Sequence, residues 1–203
     1  PNYGEFYEQR WFASGAGVET SVDLCGETVD MDAAGLFACE TVPNLVLGVE
    51  ICEDLWATEP PSARLARGGA TVILNLSASN ELVGKSGYRR NLVVGQSGRL
   101  VCGYVYADAG EGESTTDLVF TGHNMIAENG ALLAERRFAT GLTISEIDVD
   151  RLIHDRRRTN TFTPGRETPE IWRASFSLPL AETRLTRYVS PAPFVPEDGA
   201  SPA

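Results

Sequence analysis

Three short apolar runs rich in β-branched residues, each closed by a polar turn, constrain this chain more than any other feature of its sequence. Residues 45–52 end at the acidic pair Glu53 and Asp54. Residues 71–76 end in Ser77, Ala78, Ser79 and Asn80, and residues 103–106 end in Ala107, Asp108, Ala109 and Gly110. Runs of this length and composition read as buried strands. Between the first two, Ser62 is followed by apolar residues at helical intervals, and Gly68-Gly69 supplies a stop. Between the second and third, residues 86–100 read as a longer helix, with Tyr88, Leu92, Val93 and Gln96 spaced along one side. This alternation of strand and helix implies α/β layering, with functional residues at the carboxyl ends of strands.

The second half changes style. Residues 124–135 form a hairpin signal centred on Asn129-Gly130, a pair that tolerates the positive φ angles of a type I′ turn. Residues 142–147 alternate as a strand, and Asp148 or Asp150 is placed to cap a helix running towards Asn160. The run Arg156-Arg157-Arg158 follows Asp148, Asp150 and Asp155 and reads as a solvated, mixed-charge helix face. From Val189 onward, Pro191, Pro193, Pro196 and Pro202 interrupt any periodicity, so residues 1–188 are expected to form the domain and residues 189–203 a linker or tail.

Composition narrows the class of function. The 203 residues suit one domain, and a self-contained domain of that size buries about 70% of its unfolded surface. A net charge of −11 argues against nucleic acid and anionic membranes as partners. No stretch approaches the roughly 18 apolar residues of a membrane span. The start at Pro1-Asn2-Tyr3 has neither the charge nor the apolar core of a signal peptide, and without Met it reads as a start inside a longer protein or after processing. Cys25, Cys39, Cys52 and Cys102 show no metal or disulfide spacing, and His123 and His154 sit in no zinc pattern. No metal is expected, and the compartment is expected to be reducing and cytoplasmic.

Cys52 closes a buried strand and is followed at once by two carboxylates. From the pattern alone it reads first as a small buried hydrophobe. The functional alternative is a nucleophile at a strand–turn junction, attacking an amide carbonyl while backbone N–H groups of the turn stabilise the oxyanion. Its base would be His123 or His154 in a Cys–His pair, though neither stands in a supporting motif. Cys25, Cys39 and Cys102 read as buried small hydrophobes.

The residues around Cys52 add a family resemblance. The run Gly48-Val49-Glu50-Ile51-Cys52-Glu53-Asp54-Leu55-Trp56 resembles the nucleophile motif of the nitrilase superfamily. Further runs resemble the glutaminase domain of glutamine-dependent NAD synthetases: residues 1–8, Asn75-Leu76-Ser77-Ala78-Ser79 with Gly84-Lys85, residues 103–107, residues 110–118, and the Glu128-Asn129-Gly130 turn. The likeness holds in order to about Arg158 and more loosely to Pro196. It implies an α/β fold, the nitrilase αββα four-layer sandwich, of which this chain is the C-terminal portion. It also implies glutamine hydrolysis through a Cys52 thioester, supplying ammonia for ATP-dependent amidation of nicotinic acid adenine dinucleotide.

Several roles follow only from that resemblance. The family's catalytic glutamate and lysine would precede Pro1, so no base is assigned here and this chain alone is expected to be inactive. Lys85, its only lysine, falls with Ser79 where family members hold the α-carboxylate of glutamine. Tyr3, Phe6 and Trp56 fall where residues line the substrate pocket. The loop of residues 110–117 is diagnostic of the family but reads as a turn with serine and threonine hydrogen bonds. This chain is expected to hold no cofactor of its own. ATP and magnesium belong to a synthetase domain beyond the linker, and that domain and further copies of the complete protein are the implied partners. The rival readings are a stand-alone amidase acting on another small amide and a non-catalytic binding or assembly fragment.

Overall fold

A computed structural model describes residues 11–162, 171–182, 184 and 186–191. A seven-stranded sheet dominates, in the order β8-β7-β6-β5-β4-β3-β9. Its strands are β3 (Gly35–Cys39), β4 (Val46–Ile51), β5 (Val72–Ser77), β6 (Gly103–Asp108), β7 (Asn124–Glu128), β8 (Ala131–Arg136) and β9 (Trp172–Phe176). The three central strands β4, β5 and β6 run parallel, as their intervening helices α1 (Pro61–Arg67) and α2 (Lys85–Leu100) require. A separate exposed hairpin joins β1 (Glu19–Leu24) to β2 (Glu27–Asp32), turning at Cys25 and Gly26.

Register explains the core. Parallel pairing aligns Gly48, Ile73 and Tyr104 across the sheet, and in the next row Glu50, Asn75 and Tyr106. Both rows face the helix layer, where Leu65 of α1 and Val93 of α2 join Leu36, Ile73, Tyr104 and Met125 in one buried cluster. Gly48 lets α1 approach closely, since a Cβ there would stand 3.1 Å from the Leu65 Cβ. The opposite pleat carries Ile51, Leu76 and Phe37, which are exposed. The described residues thus supply one helix layer and one sheet layer of an α/β fold. In a four-layer sandwich the bare face is the one that a second sheet covers. No helix among the described residues is long and apolar enough to cross a membrane.

The Asn129-Gly130 turn has φ values of 45° and 84°, as a type I′ hairpin needs. Asp148 caps α3 (Val149–Arg158) by accepting from the Arg151 N–H at 2.9 Å. Three expectations fail. Residues 142–147 form no strand: Leu142 and Ile144 are exposed, while Glu146 accepts from the Thr186 and Arg187 N–H groups and Ile147 lies over Gly103. Apolar alternation therefore records an anchored strip without a ladder. On α2, Tyr88 faces solvent and Arg89 is buried in its place.

The third correction is Arg156, which is buried rather than solvated. Its guanidinium donates to the carbonyls of Ala70 (2.7 Å), Leu100 (3.1 Å) and Val101 (2.9 Å), closing the turns that precede β5 and β6. Arg157 and Arg158 are exposed, as the charge pattern implies. Arg156→Met would leave these carbonyls without their charged donor. It is expected to cost about 3 kcal/mol in urea unfolding, against less than about 0.5 kcal/mol for Arg157→Met. Equal effects would contradict the clamp.

Candidate active site

The carboxyl edge of the parallel strands gathers most of the chemistry-bearing residues. Cys52 follows β4 directly and opens a 3-10 helix, Cys52–Trp56. Its φ of 50° lies in the left-handed region that non-glycine residues seldom occupy. The Cys52 N–H donates to Asn75 Oδ1 at 3.0 Å, and Asn75 Nδ2 donates back to the Cys52 carbonyl at 3.2 Å. Asn75 Nδ2 also donates to the Tyr104 hydroxyl at 3.1 Å, and that hydroxyl donates to Glu50. The second Glu50 oxygen accepts from the Ser62 N–H at 2.8 Å.

These contacts limit the roles open to each group. The Cys52 N–H is committed to Asn75, so it is not among the turn donors left for an oxyanion. Glu50 is buried and engaged through both oxygens, as a structural carboxylate is. Neither histidine forms the dyad considered from the sequence. His123 Nδ1 meets Arg89 Nη1 at 2.9 Å and His123 Nε2 meets Glu135 Oε1 at 2.7 Å. Because a guanidinium only donates, Nδ1 accepts, and the neutral Nε2–H tautomer donates to Glu135. His154 is exposed on α3, which docks at the opposite edge of the sheet.

The other cysteines differ in setting. Cys39 and Cys102 are buried, and burial pushes the Cys102 thiol up to about 12. Cys25 is exposed at the tip of the β1–β2 hairpin, not buried as expected, because no residue of either hairpin strand is buried. Cys52 is half-buried.

Ser79 and Lys85 flank one loop between β5 and α2. The Ser79 hydroxyl accepts from Arg89 Nε (3.3 Å) and Nη2 (3.2 Å), and its N–H donates to Asp108 Oδ1 at 2.8 Å. Lys85 donates to the Asn80 side chain. Trp56 closes the 3-10 helix and tilts against Tyr106, with ring centroids 6.5 Å apart. Tyr3 and Phe6 lie outside the described residues. The loop of residues 110–117 is a turn held partly by side-chain hydroxyls: Ser114 accepts from the Phe120 N–H and Thr115 from the Leu118 N–H.

Sequence reasoning missed Asn75, Arg89 and Asp108 as parts of this edge. Arg89 is fully buried and also donates to the Asn80 carbonyl (3.0 Å) and to Glu81 (3.2 Å). The local signal was weak, an arginine pair inside a helix, because its partners come from three other segments, the loop 79–81, Asp108 and His123. Asp108 lies 3.8 Å from Arg89. Burial raises its carboxyl to about 6, with the Ser79 N–H and Arg89 pulling the other way.

That shift has a sign. The folded pKa exceeds the unfolded value of 3.8, so the folded state holds the extra proton between the two values and stability falls as pH rises from about 4 to about 6. Asp108→Asn keeps an oxygen acceptor but cannot ionise. Its stability relative to the parent is expected to increase across that window and level off above it, in urea unfolding repeated across pH. A parent–variant difference that is flat with pH contradicts the buried charge.

Comparisons with known proteins bear on the sequence match and the fold. No protein-family model matches the chain. A glutamine-dependent NAD(+) synthetase of Mycobacterium tuberculosis is 44% identical over 208 aligned residues, covering 98% of this chain and 31% of that protein. The chain therefore spans about a third of the length of such relatives. A crystal structure of the glutamine-dependent NAD(+) synthetase from Cytophaga hutchinsonii superposes with a TM-score of 0.57 at 31% identity, over 71% of this chain and 23% of that one. Saccharomyces cerevisiae Nit3, of the nitrilase superfamily, shares the fold alone, with a TM-score of 0.55 at 17% identity over 79% of this chain and 52% of Nit3. In sequence the chain matches a segment of glutamine-dependent NAD(+) synthetases, and its fold is shared with the nitrilase superfamily.

Proposed function

We propose that Cys52 is the nucleophile of a glutaminase that supplies ammonia for NAD synthesis. The observation that carries this reading is a cysteine held in the left-handed conformation at the carboxyl end of a central parallel strand, within a sequence match that covers 98% of the chain. The Cys52 thiolate attacks the side-chain carbonyl carbon of glutamine. Collapse of the tetrahedral adduct breaks the C–N bond, and the nitrogen leaves as ammonia after taking a proton. Water then cleaves the thioester, releasing glutamate and restoring the thiol.

Ser79 and Lys85 bind the substrate α-carboxylate. Arg89 occupies the acceptor side of the Ser79 hydroxyl, which orients its hydrogen towards a ligand oxygen. Trp56 walls the pocket. The acceptor reaction, amidation of nicotinic acid adenine dinucleotide with ATP and magnesium, belongs to a synthetase domain beyond the linker at residues 189–203. The complete protein is a cytoplasmic homo-oligomer in this reading.

The test uses the polypeptide extended on both sides of this chain. Cys52→Ala is expected to abolish glutamine-dependent NAD synthesis and leave synthesis from free ammonia intact. Lys85→Ala removes a charge-assisted contact and is expected to lower kcat/KM for glutamine about ten- to a hundredfold. Full activity of Cys52→Ala with glutamine contradicts the nucleophile, and turnover of simple amides in preference to glutamine favours a stand-alone amidase. An unchanged glutamine dependence in Lys85→Ala returns that lysine to the surface.

A further inference from the structure

We infer that Asn75 is a positioning residue for the Cys52 thiol, an assignment that rests on the reading of Cys52 as the nucleophile. One side-chain amide holds both backbone polar groups of Cys52: its oxygen takes the N–H at 3.0 Å and its nitrogen reaches the carbonyl at 3.2 Å. The residue so held is the one whose φ of 50° turns the chain out of β4 into the 3-10 helix. A left-handed, non-glycine conformation persists only where its surroundings over-determine it.

The amide cannot serve in the opposite orientation. Flipped, Asn75 Nδ2 would face the Cys52 N–H, donor against donor, and Oδ1 would face both the Cys52 carbonyl and the Tyr104 hydroxyl. The single Tyr104 hydrogen is committed to Glu50, so that hydroxyl meets Asn75 only as an acceptor. Glu50 is held in turn by the Ser62 N–H from the start of α1. Asn75, Tyr104 and Glu50 are exposed by 1%, 0% and 2%, so water does not replace a lost partner. The chain Glu50–Tyr104–Asn75–Cys52 therefore sets the direction of one amide, and the amide sets the backbone of the thiol. Asn75 touches the backbone of the nucleophile and acts through it.

The experiment takes Asn75→Leu, Asn75→Asp and Tyr104→Phe in the polypeptide extended on both sides of this chain, beside Cys52→Ala. Glutamine-dependent kcat and KM, ammonia-dependent synthesis and Tm are measured for each. Asn75→Leu is expected to lower kcat for glutamine about ten- to a hundredfold, because small misplacement of a nucleophile is costly. KM is expected to stay within about threefold of the parent and ammonia-dependent synthesis to remain unchanged. Asn75→Asp, which keeps the acceptor and loses the donor, and Tyr104→Phe, which releases the amide, are expected to lower kcat less. This conservative pair keeps the test decisive should leucine not be accommodated. A kcat near that of the parent in all three variants, while Cys52→Ala is dead, overturns the Asn75 assignment alone. Loss of ammonia-dependent synthesis in step with glutamine turnover also overturns it, because that pattern marks general damage. Undiminished turnover by Cys52→Ala removes the reading beneath it.

Discussion

The paired contact between the Asn75 side chain and the Cys52 backbone is the interaction on which the carboxyl edge of the sheet depends. A left-handed residue of this kind costs about 1–3 kcal/mol, and each buried hydrogen bond returns about 0.5–1.5 kcal/mol. Both bonds to Asn75 are therefore of the size needed to hold Cys52 where it is. They also remove its N–H from solvent and from any ligand. The register of the parallel strands makes the contact available, because pairing of Glu50 with Asn75 brings the amide level with the end of β4.

The two edges of the sheet are specialised. Below the strands, Arg156 gathers the carbonyls of Ala70, Leu100 and Val101 and ties α3 to the core, an arrangement that only stabilises. At the carboxyl edge, polar groups are buried at a cost. Asp108 is pushed up to about 6 by burial, and Arg89 is enclosed among Ser79, Asn80, Glu81 and His123. Burial likewise lowers the pKa of His123, against the pull of its bond to Glu135. Such a network ties down the loop that carries Ser79 and Lys85, although Asp108 Oδ2 has no hydrogen-bond partner among the described residues.

How much of this was legible depended on how local each cause is. The strands β4, β5 and β6, the helices between them and the Asn129-Gly130 turn all carry their signals within a few residues. The strands β3 and β9 do not. Gly35–Cys39 is short, Trp172–Phe176 alternates with Arg173 and Ser175, and the two pair in parallel across most of the chain. The buried arginines were hidden for the same reason: carbonyls from distant turns, not neighbouring charges, decide that Arg156 is enclosed. Cys52 was legible as a candidate through its motif. Its clamp was not, because Asn75 lies 23 residues further on and reads locally as a polar break near a strand end.

The most direct test of the account is covalent labelling of the extended polypeptide with a diazoketone analogue of glutamine, followed by peptide mapping. Cys25 is an internal control, since it is exposed at a hairpin tip while Cys52 is half-buried. Accessibility alone would favour Cys25. One adduct is expected, on Cys52, formed at a rate that saturates with reagent and is suppressed by glutamine. An adduct on Cys25 in place of Cys52, or labelling of Cys52 that glutamine does not slow, would contradict it.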